Sequence, residues 1–89
     1  MRRRNEFGPI YRALGERIAQ ERARRTLSQR ELAELTGTTQ SAIARLEGGS
    51  RAPRLDTLLR VANALDCALV VELRPRTIIE RRSGDVDDG

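Results

Sequence analysis

Histidine and lysine are both absent from the 89-residue chain, and Cys67 is its only cysteine. Without histidine, neither Ser/His/Asp nor Cys/His catalysis can be assembled, and the common zinc sites are excluded. One thiol allows no disulfide within the chain, which fits a reducing compartment. Phe7 and Tyr11 are the only aromatic residues, too few for the stacking platforms that hold single-stranded nucleic acid. No apolar run approaches the roughly 18 residues of a membrane span. Arg2, Arg3 and Arg4 lack the apolar stretch that follows the charged start of a signal peptide. The expectation is a soluble, cytoplasmic chain with no metal, no cofactor and no membrane partner. Acid-base chemistry would fall to carboxylates alone, and no convergent pair stands out. Glu31, Glu34 and Glu47 are accounted for by helix capping, exposure and pairing, so an enzyme is not expected.

What the chain does have is arginine. All 17 basic residues are arginines, set against 13 acidic residues, for a net charge of +4. The planar guanidinium fork suits phosphate oxygens and guanine edges. Complete avoidance of lysine reads as the coding bias of a GC-rich genome, so the placement of the arginines carries more information than their identity. The length allows one domain with a small core, and a dimer would bury more apolar surface.

Residues 1–8 read as a basic arm, with Arg2, Arg3 and Arg4 either tracking phosphates or forming a solubilising end. After Gly8-Pro9, a first helix to Arg25 places Ile10, Leu14 and Ile18 at steps of four. Ser28-Gln29-Arg30-Glu31 is a capping box that starts a short second helix, with Leu32, Ala33 and Leu35 facing inward. Gly37 ends it in the left-handed conformation. Thr39 caps a third helix over Gln40 to Glu47, with Ile43 and Leu46 buried. Gly48-Gly49-Ser50 is a loop, and a fourth helix from Leu55 to Leu65 turns Leu55, Leu58, Leu59, Ala62 and Leu65 inward.

Two short helices joined by Gly37-Thr38, with Ala33 small where the second must come close, predict helix-turn-helix geometry. The run from Leu27 to Gly49, together with Pro53, Leu55, Leu58, Leu59, Ala62 and Leu65, resembles the Cro/C1-type (Xre) repressor family over roughly Leu14 to Asp66. The resemblance implies an all-helical bundle that binds double-stranded operator DNA as a homodimer, without cofactor or catalysis, in the nucleoid. It assigns base contacts to Gln40, Ser41 and Arg45 on the third helix. Gln29 and Thr39 would donate to phosphates, and Arg51 and Arg54 would lie along the backbone or near the minor groove. Arg22 and Glu47 would form a structural ion pair. Asp66 stands where the family usually has glycine, so a different turn is expected there.

Beyond residue 67 the period changes to two. Leu69, Val71 and Leu73 share one face, which predicts a strand ended by Pro75. A lone strand cannot satisfy its own backbone, and antiparallel pairing with a second copy across a two-fold axis is the simplest solution. The expected architecture is therefore mainly α: a four-helix, lambda-repressor-like bundle over 9–66, plus a dimerisation strand over 67–75. Residues 76–89 would be a flexible charged tail, in which Ile78-Ile79 either continue the sheet or dock on a partner. The strand and tail also suit an antitoxin that binds a toxin protein and represses its own operon. Cys67 reads as a small apolar residue at the junction.

Overall fold

The computed structural model describes residues 6–76, which form four helices: α1 (Gly8–Arg24), α2 (Gln29–Thr36), α3 (Gln40–Gly48) and α4 (Leu55–Ala64). Arg2, Arg3 and Arg4, Ile78-Ile79 and the tail beyond residue 76 lie outside the described residues. Pro9 sits in the first turn of α1, where a missing N–H removes no helical bond. α2 and α3 each end on a left-handed glycine, Gly37 at φ 71° and Gly49 at φ 67°.

Helices α1, α2 and α4 enclose a core of Ile18, Leu32, Ala33, Ile43, Val61 and Leu65, to which α3 contributes Ile43. Leu32 and Ile43 have no exposed surface, and each such side chain contributes about 1.5–3 kcal/mol by leaving water. The α1 stripe fades toward its N-terminus: Ile18 is buried, Leu14 half-buried and Ile10 63% exposed. Strict steps of four overshoot a 3.6-residue turn by about 40° each time, so Ile10 has rotated off the core.

Three other residues expected inside point outward: Leu35 is 61% exposed, Leu55 58% and Leu59 52%. In α2 the buried position goes to Thr36, whose hydroxyl donates to the Leu32 carbonyl at 2.8 Å and so enters the core satisfied. In α4 the buried line runs through Val61 and Leu65, with Leu58 packed beside them. That phase turns Leu59 to the far side of the helix. Asp66 adopts the left-handed conformation itself, at φ 56°, which aspartate tolerates better than most residues.

The expected dimerisation strand over 67–75 is not formed within the described residues. Residues 67–76 contain no helix and no ladder, since the described residues offer no second strand to pair with. Leu69 is half-buried against an apolar groove between α1 and α4, about 290 Å³ in volume and lined by Leu14, Leu58 and Val61. Val70, Val71 and Leu73 are exposed.

Glu21 is buried on α1, where Arg17, Arg24 and Arg25 surround its carboxylate at 2.8, 3.4 and 2.7 Å. Hydrogen bonds from Arg25 and Arg17 hold its pKa down at about 2. Arg25 also points Nη2 at the Cys67 sulfur, 3.7 Å away, which ties the end of α1 to the segment after α4.

Candidate nucleic-acid interface

The capping box forms as the sequence predicts. The Glu31 N–H donates to the Ser28 hydroxyl at 2.9 Å, and the Ser28 N–H donates to the Glu31 carboxylate at 2.7 Å. Such caps each contribute about 1 kcal/mol, which matters for a helix of eight residues. After the Gly37 turn, the Thr39 hydroxyl accepts from the Ala42 N–H at 3.1 Å and starts α3. Its own hydroxyl hydrogen stays free to donate outward.

Because Ile43 is fully buried and Leu46 half-buried, the opposite face of α3 must look away from the core. That face carries Gln40, Ser41, Ala44 and Arg45, all exposed. At the C-terminal end of α3, a cleft of about 280 Å³ opens toward the start of α4, and Arg45, Arg51 and Arg54 all line it. These three arginines, separated in sequence, are brought to one concavity. Arg45 and Arg51 form no ion pair among the described residues. Arg54 places Nε and Nη2 at 3.0 and 3.1 Å from the two Asp56 oxygens. That contact lowers the Asp56 pKa to about 2 and raises that of Arg54.

Arg22 and Glu47 form an ion pair. Arg22 Nε donates to Glu47 Oε2 at 2.6 Å, Nη2 to Oε1 at 3.0 Å, and Nη1 to the Leu27 carbonyl at 2.7 Å. Burial alone would raise the Glu47 pKa, but hydrogen bonds from Arg22 and then Gln29 outweigh it and hold the carboxyl below its ordinary value. The Gln29 contact has no counterpart in the sequence reading. Its Nε2 donates to Glu47 Oε1 at 2.9 Å, so one of its amide hydrogens is engaged within the chain. Glu47 thus fastens the end of α3 both to α1 and to the first residue of α2.

Two glycines set how closely these elements meet. A Cβ on Gly15 would overlap the Glu47 carbonyl oxygen and come within 2.6 Å of the Leu46 carbonyl oxygen. A Cβ on Gly49 would lie 2.7 Å from the Arg12 backbone nitrogen. Sequence reasoning treated Gly49 as loop and gave Gly15 no role, since only the crossing of α1 with α3 reveals the need.

A turn of this kind between two capped helices, the second with an outward polar face, recurs in known proteins. A family model described as helix-turn-helix matches residues 18–71. The chain belongs to the Cro/C1-type helix-turn-helix family. This helix-turn-helix protein is 41% identical over 66 residues to an uncharacterised HTH-type transcriptional regulator, y4dL, of Sinorhizobium fredii. That match covers 68% of the chain and 34% of the relative, so the chain spans about a third of y4dL. Among solved structures it is similar to the restriction-modification controller protein C.AhdI from Aeromonas hydrophila. The TM-score is 0.67 at 32% identity, over 70% of this chain and 90% of the other. The family is one of DNA-binding transcriptional regulators rather than enzymes. No helix among the described residues is long and apolar enough to cross a membrane.

Proposed function

We propose that this protein is a homodimeric transcriptional repressor that inserts α3 into the major groove of a near-palindromic operator. The observation that carries the proposal is the continuous surface made by the exposed face of α3 and the adjoining cleft of Arg45, Arg51 and Arg54. On this reading Gln40 pairs bidentately with adenine and Arg45 with guanine, each contributing about 1–3 kcal/mol of discrimination. Ser41 assists at a base edge. Thr39, Gln29, Arg51 and Arg54 hold phosphates and fix the register. Half-sites lie about one helical turn, ~34 Å, apart. Such a regulator works in the cytoplasm, at the nucleoid.

The test is selection of bound duplexes from fragmented genomic DNA at about 0.15 M salt, where phosphate attraction alone is weak. A two-fold symmetric site that the Gln40→Ala/Arg45→Ala variant loses is the expected result. Absence of any enriched site with the folded protein would overturn the reading. Dimerisation is assigned to the segment carrying Leu69, Val71 and Leu73, of which Val71 and Leu73 are exposed, without apolar cover among the described residues. Deleting residues 68–89 should leave monomers in sedimentation. A dimer that survives the deletion would move the interface to α4, where Leu55 and Leu59 are exposed.

The same exposed apolar residues, Val70, Val71 and Leu73, favour a second reading in which this end binds a toxin and the protein is an autoregulating antitoxin. Co-purification of a stoichiometric partner from the native source distinguishes the two. A clean homodimer supports the repressor alone.

A further inference from the structure

We propose that Asp56 restrains DNA binding by holding Arg54 in an intramolecular pair, which withholds this arginine from loosely placed phosphates. The inference rests on the DNA-binding reading above. Arg54 lines the same basic cleft as Arg45 and Arg51, and its side chain is 78% exposed. It differs from them in being occupied. Its Nε and Nη2 meet the two oxygens of Asp56 at 3.0 and 3.1 Å.

That edge of the guanidinium is the one that grips a phosphate side-on through two parallel N–H bonds. A phosphate and the Asp56 carboxylate therefore compete for one set of donors. Exposed ion pairs are weak, so a phosphate held in register by the rest of a specific complex can displace the carboxylate. A phosphate that wanders, as in non-specific binding, gains less by doing so.

Asp56 is itself tethered independently of Arg54. Its Oδ1 accepts from the Thr57 N–H at 2.9 Å, and its Oδ2 accepts from Arg60 Nη2 at 3.1 Å. The carboxylate consequently stays at the first turn of α4 when Arg54 leaves it, and the pair re-forms when the DNA departs. Removing the charge while keeping an acceptor for Thr57, as Asp56→Asn does, releases Arg54 without disturbing the start of α4.

The experiment measures affinity of the full chain for a random-sequence duplex between about 50 and 200 mM salt. Releasing Arg54 adds one neutralised phosphate. The log–log salt slope of Asp56→Asn should then steepen by about 0.9, so the loss of affinity over that range grows about 3.5-fold. In an Arg54→Ala background, the same Asp56→Asn change should leave the slope where that background has it. A wild-type slope for Asp56→Asn would overturn the proposal. So would equal steepening in both backgrounds, because Asp56 would then act as a general negative charge and not through Arg54. Asp56→Ser supplies the same measurement if the asparagine variant melts early. A wild-type chain that shows no salt-dependent binding would instead sink the DNA-binding reading itself, which separates the two failures.

Discussion

Gly15→Ala adds one methyl group where α1 meets the backbone at the end of α3. The new Cβ would overlap the Glu47 carbonyl oxygen and lie 2.6 Å from that of Leu46. Ordinary carbon contacts are about 3.5 Å, so α3 must retreat from α1 by roughly 1 Å. Both obstacles are backbone atoms, and no side-chain rotation can relieve them. Overpacking of this kind costs about 1–3 kcal/mol. Replacing helical glycine by alanine returns about 1 kcal/mol. The net expectation is a destabilisation of up to about 2 kcal/mol, or a melting temperature lower by as much as several degrees for a domain of this size. Urea unfolding measures the first and calorimetry the second. Because α3 carries the outward polar face, specific DNA affinity should fall further than non-specific affinity. Gly48→Ala is the matched control, since a Cβ there meets nothing within 4 Å. It should be neutral or stabilising by up to about 1 kcal/mol. If Gly15→Ala behaved like Gly48→Ala and gained stability, α1 and α3 would not cross as closely as described, and the reasoning would fail.

Glu47→Ala leaves Arg22, with a side chain only 17% exposed, without its partner and frees Gln29; the cost should be about 3 kcal/mol by urea unfolding, and a change below 1 kcal/mol would contradict the role given to the network. Thr26 is a β-branched residue at φ 53°, an uncommon conformation for its type. Thr26→Asn should stabilise by about 1 kcal/mol, and a loss would show that the Thr26 hydroxyl, which donates to the Arg25 carbonyl at 2.6 Å, outweighs the strain. Glu21 has its pKa lowered from 4.5 to about 2. Its contribution is present above the unfolded value and is lost as pH falls toward the folded one. The melting temperature advantage of wild type over Glu21→Gln should shrink as pH drops from 4.5 toward 2. An advantage unchanged by acid would rule out the ion pairs as its source.

The capping box, the Thr39 cap and the Gly37 turn were legible in the sequence because each depends on residues of fixed type at fixed spacing, whereas the Arg22–Glu47 pair was implied only by the family resemblance. Helical phase was less legible. The α4 segment places Leu55, Leu58, Leu59, Val61, Ala62 and Leu65 across nearly half of its circumference, and only its neighbours decide that Val61 goes in and Leu59 out. The knot at Glu21 had a readable signal in Arg17, Arg24 and Arg25 at −4, +3 and +4. Its burial was not readable, since that follows from where α1 meets the chain after α4. Gln29 on Glu47, and Arg45, Arg51 and Arg54 around one cleft, join residues of different elements and loops, and such contacts exist only once the helices are packed.

α3 is held by Ile43, half-buried Leu46 and two end caps, while Gln40, Ser41, Ala44 and Arg45 take no part in the core. Exchanges at such exposed positions usually change stability by no more than about 0.5 kcal/mol. The vocabulary of the protein is therefore uncoupled from its grammar. On the proposed reading of α3, a descendant acquires a new operator by altering a handful of outward letters, and a designer retargets it in the same way, without either having to solve the folding problem again.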